Sequence, residues 1–395
     1  MLTNFLALIF GLIVIAAISQ DHDVFKVLYL LVGALVLGRL WSHRALDGLA
    51  LRREFTPRAF CGEEVPVRLH FTNQSLLPLL WLHVHEALPV EVAPRQPVRQ
   101  VFSLGPHAHT NLDYVLRARK RGYYPIGPLE ASTSDLLGLA GDRISQGGPE
   151  YLTVYPRIVH LTRLELPSHS PLGTLRHKQP VFEDPSRVWG KRDYTPGDSL
   201  RRVDWKASAA LGRLQVKQFE PSIALTTALF LDLNEESYTP RGRLDALELA
   251  VVAAASLANW VVSRKQAVGL VTNGLDPQAG GQRFENLPPR KGRSHLIRIL
   301  DVLARVQAAE TQPLASLLRQ EAARLPWGAT LILVTGSADE ALFDTLFWVR
   351  QAGLSAMLVL VGQAPNLREA EGRGRQFGFP VVGLRNEADM DIWCG

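Results

Sequence analysis

Two apolar stretches at the amino terminus limit this chain more than any other feature. Residues Leu2–Ser19 carry no charge, and Val24–Trp41 carry only Lys26 and Arg39, near the ends of the stretch. Each is about 18 residues long, the lower limit for a helix crossing a hydrocarbon core of roughly 30 Å. Gln20-Asp21-His22-Asp23 lies between them, a polar tip long enough only for a tight hairpin. A secretory signal opens on Lys or Arg, and none precedes Lys26. A buried soluble helix pair needs a partner core, which the polar, strand-like sequence beyond residue 50 does not supply. The expectation is a two-helix transmembrane hairpin over residues 1–45. Arg39, Arg44, Arg52, Arg53 and Arg58 fall at and beyond the end of the second stretch, while the tip carries two Asp, so both ends belong in the cytoplasm. Cys61 and Cys394 have neither disulfide-framework nor metal-ligand spacing, in keeping with a reducing compartment. A two-pass protein with the bulk of its chain cytoplasmic follows.

Beyond residue 50 the texture changes to short alternating segments. Glu64–Thr72 (Val65, Val67, Leu69, Phe71), Leu79–Glu86 (Leu80, Leu82, Val84) and Thr110–Arg119 (Leu112, Tyr114, Leu116) have the period of half-buried strands. Gly105-Pro106, Tyr124-Pro125 and Gly127-Pro128 punctuate them. A small β-sandwich-like domain is expected over residues 50–160. Pro167, Pro171, Pro180 and Pro185 mark the start of a connector, residues 161–222, that also carries the most charged motif of the chain. From residue 223 to 395, buried-type strands (Leu225–Leu233, Ala267–Thr272, Thr330–Thr335, Ser355–Val361, Pro380–Leu384) alternate with helical stretches (Leu244–Arg264, Ser294–Val306, Leu314–Leu325, Glu340–Ala352, Leu367–Phe377). That order predicts an α/β domain of Rossmann type, with a parallel sheet covered on both faces.

The charged motif runs Arg192-Asp193-Tyr194-Thr195-Pro196-Gly197-Asp198-Ser199-Leu200-Arg201-Arg202-Val203-Asp204-Trp205-Lys206. Between Arg187 and Lys217 there are eight Lys or Arg against three Asp. Such residues are almost never fully buried unless paired. Two readings stand. In one, Asp198 and Asp204 pair with Arg201, Arg202 or Arg213, Pro196-Gly197 makes a turn, and Trp205 fills a groove, locking a domain junction. In the other, Arg192, Arg201 and Lys217 grip an acidic partner. The candidate partner-binding or junction residues are therefore Arg192, Tyr194, Gly197, Asp198, Arg201, Trp205, Lys206, Arg213 and Lys217. A basic face beside an anionic leaflet also has a plain electrostatic use. Nucleic acid is not expected, because no recognised module accompanies the charge.

Chemistry is weakly encoded. No phosphate-binding loop, dinucleotide fingerprint or nucleophile elbow is present. Asp193, Asp198 and Asp204 have no accompanying His for a hydrolase, and His83-x-His85 implies no third metal ligand. No catalytic residue and no enzymatic activity are expected. In an open parallel sheet ligands bind beyond the carboxyl ends of the strands. Those ends carry Asp232, Asn234, Glu236 and Ser237, then Thr272 and Asn273, then Thr335, Ser337 and Asp339. The layout resembles von Willebrand factor A-type domains, where an Asp-x-Ser-x-Ser loop, a Thr and a later Asp hold one magnesium ion. Here Asp232-Leu233-Asn234-Glu235-Glu236 replaces both serines, leaving Asp232, Asn234, Glu236 and Thr272 as the candidate metal ligands and magnesium as the only candidate cofactor.

Three stretches resemble the domain-of-unknown-function 58 family of bacterial membrane proteins. The first is Arg192-x-Tyr194-x-x-Gly197-Asp198-x-x-Arg201-x-Val203-x-Trp205-Lys206, continuing through Ala207, Ser208, Ala209, Leu214, Val216, Lys217 and Glu220. The second is Arg121-Gly122-Tyr123 through Gly127-Pro128 to Ser134-Asp135-Leu136-Leu137-Gly138-Leu139, and the third is the amino-terminal hairpin. Leu136-Leu137 stands where the family often has Pro-Phe, and Ala210-Leu211 where an Arg commonly follows the Ala. The resemblance implies a bacterial inner-membrane location and a von Willebrand A-like carboxy-terminal domain. It also implies a MoxR-type AAA+ ATPase, with other membrane proteins of the same system, as partners. A non-enzymatic adaptor or scaffold for assembling or remodelling complexes is the function expected. A cation-dependent ligand-binding domain and an uncharacterised hydrolase are the alternatives.

Overall fold

The computed structural model describes residues 9–11, 13–15, 17, 18, 22–134, 141–146, 148–164, 167, 183–195, 198–221 and 226–393. The chain divides into two compact units, Met1–Arg157 and Ile158–Gly395.

In the first unit, residues 9–11, 13–15, 17 and 18 are helical, and the expected hairpin tip at Gln20-Asp21 lies outside the described residues. Helix α1 (His22–Asp47) is long and apolar enough to cross a membrane. Its side chains from Tyr29 to Trp41 are largely exposed, whereas Ala45 and Leu46 are buried in the core of the strands that follow. Those strands are β1 (Leu49–Phe55), β2 (Arg58–Phe60), β3 (Glu64–Asn73), β4 (Leu79–Glu86), β5 (Arg99–Leu104), β6 (His109–Arg117), β7 (Gly122–Ile126), β8 (Leu129–Ser134), β9 (Gly141–Gln146) and β10 (Glu150–Tyr155). They form three small sheets, in the orders β1-β3-β6, β2-β10-β7 and β5-β4-β8-β9. Alternation does its work on β3, whose Val65, Val67, Leu69 and Phe71 are all buried. On β4 the inward phase shifts. A register irregularity between Leu79 and Leu82 buries Leu79 and leaves Leu80 only half-buried, because a bulge inserts a residue and flips the alternation. The core also holds an ion pair: Arg53 and Glu86, both almost fully buried, meet at 2.5 Å, and the other Arg53 nitrogen reaches Glu150 at 3.1 Å.

The first described elements of secondary structure in the second unit are an antiparallel pair, β11 (Glu183–Asp193) and β12 (Gln215–Pro221), with helix α2 (Trp205–Leu211) in their connection. A six-stranded sheet follows, made of β13 (Thr226–Leu231), β14 (Ala267–Thr272), β17 (Leu287–Arg290), β18 (Thr330–Thr335), β19 (Ser355–Val361) and β20 (Val381–Leu384). A two-stranded β15 (Leu275–Asp276)–β16 (Gln282–Arg283) ribbon interrupts it. The order is β17-β14-β13-β18-β19-β20; all neighbours pair in parallel except β17, an antiparallel edge strand. Continuous apolar runs suit β13, β14, β18 and β19 to burial on both faces. The covering helices are α3 (Arg243–Ser263), α4 (Arg293–Arg305), α5 (Leu314–Ala322), α6 (Glu340–Gln351) and α7 (Leu367–Phe377). Helix α3 is also apolar enough to span a membrane, yet most of its side chains are buried in the unit. Its small residues Ala250, Ala253, Ala254 and Ala258 allow the close approach that such a central helix needs.

The sequence places β14, β18, β19 and α7 at the observed limits. It omits β17, whose Leu287-Pro288-Pro289-Arg290 lacks apolar period and contains two prolines, tolerated because an edge strand needs fewer ladder donors.

Candidate functional site

The charged motif folds largely on itself. Strand β11 delivers Arg192, β12 returns Gln215 and Lys217, and the connection is closed by Tyr194 N–H donating to Leu214 O at 2.9 Å. Arg192 grips Asp198 with both terminal nitrogens, at 2.7 and 2.6 Å. The Thr195 amide and hydroxyl add two more donors to the same carboxylate, each at 2.9 Å. The Arg192 guanidinium, followed by the Thr195 amide, holds the Asp198 carboxyl well below the usual carboxylate range. Asp204 caps α2, accepting from Ala207 N at 3.1 Å, and pairs with Lys191 at 2.8 Å. Lys191, then the Ala207 amide, lowers its pKa as well. Asp193 takes Arg213 at 2.8 Å and a hydrogen bond from the Gln215 side chain. Ser208 ties helix to strand, donating to Asp204 O and accepting from Gln215 N, both at 2.8 Å.

All three aspartates are thus engaged, Asp198 and Asp204 by partners other than those the sequence suggested, while Arg213, which the sequence offered to those two, takes Asp193. Asp198 and Asp204 use Arg192 and Lys191, upstream on β11, because the hairpin brings these strand ends beside the loop, while Arg201 and Arg202 sit on an outward-facing 3-10 turn, Leu200–Arg202. Trp205 fills no groove: it is 66% exposed. Leu200 is 61% exposed, and Arg201 and Lys206 are exposed beside them. Tyr194 and Lys217 are half-buried, and Lys217 lies opposite Lys191 in the ladder. Gly197 lies outside the described residues. With the carboxylates neutralised locally, the outward surface of this loop is basic and apolar.

A second cluster sits where the sheet order reverses, between the carboxyl ends of β13 and β18, the position at which open α/β sheets bind ligands. Asp232 is only 1% exposed. Its Oδ1 accepts from Asn234 N at 3.0 Å and Asn273 Nδ2 at 2.7 Å, and its Oδ2 accepts from the Thr335 hydroxyl at 2.7 Å. The Asn273 amide is oriented by Leu233 N–H, which donates to Asn273 Oδ1 at 2.7 Å, so a nitrogen faces the carboxylate. Asn273 Nδ2 also donates to Gln312 O at 3.0 Å. Tyr238 donates to the Asp232 main-chain oxygen at 2.6 Å, and Gly336 lacks a Cβ where one would collide with the Tyr238 ring. Burial raises the Asp232 carboxyl above its ordinary value and raises Tyr238 also.

This cluster contains three of the four candidate metal ligands near one edge, but their donor atoms are committed elsewhere. Asn234 Oδ1 accepts from Thr311 N at 3.2 Å, Thr272 Oγ1 accepts from Gly274 N at 3.1 Å, and Glu236 is exposed. An amide nitrogen stands where a cation would need an oxygen-lined space. These residues do not fit a magnesium ion as they are arranged. Among the described residues, no group of three or more His, Cys, Asp or Glu is placed to share a metal. Asn273 and Thr335 are legible as strand-end residues; that they, rather than Thr272 and Glu236, reach Asp232 is decided by side-chain packing. Asp339 caps α6, accepting from Leu342 N at 2.8 Å.

The molecule is therefore of a two-part class: a β unit carrying an apolar helix, and a mixed α/β unit with a largely parallel sheet, prefaced by a charged hairpin. Residues 190–326, which include most of that hairpin, match the family described as "Protein of unknown function DUF58". A relative, the Bacillus subtilis (strain 168) "Uncharacterized protein YeaD", is 26% identical over 286 residues, covering 71% of this chain and 68% of the Bacillus protein. Among solved structures, an aerotolerance-related membrane protein from Bacteroides fragilis matches 42% of this chain and 96% of its own length, at 12% identity and TM-score 0.30. A CARDB domain from Pyrococcus furiosus matches 27% of this chain and 86% of its own, at 12% identity and TM-score 0.20. Scores this low do not establish a common fold.

Proposed function

We propose that this chain is a membrane-anchored, non-enzymatic adaptor that presents the loop between β11 and β12 to a protein partner. The observation that carries the reading is the division of labour in residues 191–217. Asp193, Asp198 and Asp204 are each held by a local cation, while Leu200, Arg201, Trp205 and Lys206 stand outward. An exposed Trp flanked by basic residues on a pre-organised loop has the composition of a binding hot spot, in which Trp and Arg dominate the energetics. A partner with acidic residues around an apolar cleft is its complement. By family resemblance that partner is a MoxR-type AAA+ ATPase, working with other membrane proteins of the same system. The anchor is a two-pass hairpin in the bacterial inner membrane with the bulk of the chain cytoplasmic. The second unit is a von Willebrand A-like scaffold in this reading.

The test is affinity purification of the intact protein from its native membrane, with mass spectrometry of what is retained. Substitutions belong at Arg201 and Trp205 rather than at Arg192, whose loss would unlatch Asp198 and confound folding with binding. An AAA+ ATPase retained by the wild type and lost from Arg201→Glu and Trp205→Ala, with unchanged thermal unfolding, is the expected outcome. Recovery of the chain alone, or retention by the variants at wild-type level, overturns the proposal.

A further inference from the structure

Helix α1 does not end at a flexible linker. Eighteen residues from Val24 to Trp41 rise about 27 Å as a helix, close to a hydrocarbon thickness of roughly 30 Å. The same helix then continues to Asp47, burying Ser42, Ala45 and Leu46, and strand β1 starts at Leu49. With Ala45 and Leu46 in the strand core, the β unit is held rigidly at the end of the apolar helix.

One turn of the β unit is fastened along that last stretch of helix. Trp41 Nε1 donates to Pro78 O at 3.2 Å, and Gln74 N donates to Gly48 O at 2.7 Å. Ser75 packs so closely on Gly48 that a Cβ there would overlap it. The turn between β3 and β4 is thus pinned at Trp41 and again at Gly48, just past the end of the helix, about 10 Å apart along its axis. It is also rigid from within. Fully buried Asn73 donates to Leu77 O at 2.8 Å and Gly105 O at 2.9 Å, and accepts from Ser75 N at 3.0 Å and the Ser75 hydroxyl at 2.8 Å. At the tip of this built turn stands Leu76, 78% exposed.

A buried four-bond amide is an expensive way to hold a leucine in water. The turn's anchor on the helix indicates what covers it: Trp41, which holds Pro78 O, is an amphipathic ring of the kind that settles at headgroup level. Arg39 and Arg44 are exposed on the same stretch of helix, placed for lipid phosphates. The headgroup layer is about 5–7 Å deep on each side, rather more than half of the interval over which the turn is pinned.

We propose that the Asn73–Pro78 turn is a membrane-interface contact, with Leu76 inserted at the headgroup–acyl boundary beside Trp41, seating the β unit against the bilayer that α1 crosses. The proposal rests on the membrane-spanning reading of α1, and the experiment separates the two. The full-length chain, with Cys61 and Cys394 replaced by Ser, is labelled with a nitroxide at Leu76→Cys or Leu30→Cys. Each is reconstituted in phosphatidylcholine–phosphatidylglycerol vesicles. Collisional relaxation by lipid-soluble oxygen is compared with that by a water-soluble nickel chelate. The expected result is several-fold stronger relaxation by oxygen than by nickel at both positions. Oxygen preference at Leu30 with nickel preference at Leu76 overturns the interface contact and leaves the anchor standing. Shielding of Leu76 from both reagents means that protein covers the turn, which also overturns the contact. Nickel preference at Leu30 removes the anchor and the contact together.

Discussion

Asp232 offers the sharpest test of how the second unit works. Replacing it with Ala removes the contacts from Asn234 N, Asn273 Nδ2 and Thr335 Oγ1, and a further one with the Ser237 side chain, but the donors do not suffer equally. Thr335 Oγ1 keeps Ser337 O at 3.1 Å, and Asn273 Nδ2 keeps Gln312 O at 3.0 Å. The Asn234 amide has no such second acceptor among the described residues. An orphaned buried donor costs about 1–3 kcal/mol, and each lost bond whose donor keeps a partner costs about 1 kcal/mol, so Asp232→Ala is expected to cost about 3–5 kcal/mol. For a unit of this size that lowers Tm by roughly 6–20 °C. Asp232→Asn is different. Its oxygen takes the place of Oδ1 before Asn234 N and Asn273 Nδ2, while its amide nitrogen donates to the Thr335 hydroxyl, which still has Ser337 O to bond. The latch survives and a buried carboxylate is gone, so the change stays within about 1 kcal/mol. Thermal unfolding of the full chain in detergent, with and without millimolar magnesium, reads both. The latch reasoning fails if the two variants fall together. It also fails if magnesium stabilises the wild type and not Asp232→Ala, since a cation would then be the real occupant.

Two further outcomes are expected. Glu86→Ala leaves the buried Arg53 guanidinium with Glu150 as its carboxylate among the described residues, and urea unfolding of the β unit should show a loss of about 3–5 kcal/mol, mostly regained in the double variant Arg53→Met, Glu86→Leu. His295 donates from Nε2 to Val268 O at 2.9 Å, and burial first of all lowers its pKa below the ordinary 6.5. A depressed histidine contributes its full stability above pH 6.5 and loses it as pH falls through the folded value, so wild-type Tm should drop between pH 7.5 and 5.5 by more than that of His295→Gln.

Much of this architecture is written locally. A six-residue apolar run rich in β-branched residues, such as Thr330–Thr335, has the length and composition of a strand covered on both faces, and helix α7 carries its own amphipathic period. Those limits need no knowledge of the rest of the chain. Likewise, the density of charge around Arg192 announces a specialised segment, and strand-end polar residues point to the crevice beside Asp232. The phase of β4 was not legible, because the bulge between Leu79 and Leu82 depends on what β5 and β8 present to it. Strand β17 was missed because its place is an edge, where pairing with β14 substitutes for propensity.

By itself the sequence determined the apolar helix, the alternation of strands and helices, and the inventory of charges available to the motif. Tertiary structure alone decided which charge meets which. Arg192 takes Asp198 and Lys191 takes Asp204 because β11 and β12 bring their ends together, and Arg53 meets Glu86 across 33 positions of chain because both face one β core. Pairing depends on distances of a few ångströms, and residue spacing along the chain does not set those distances. Backbone periodicity reads out over neighbours, whereas an ion pair, a latch such as Asp232–Asn273 or an exposed Trp205 reads out only after the sheets have closed.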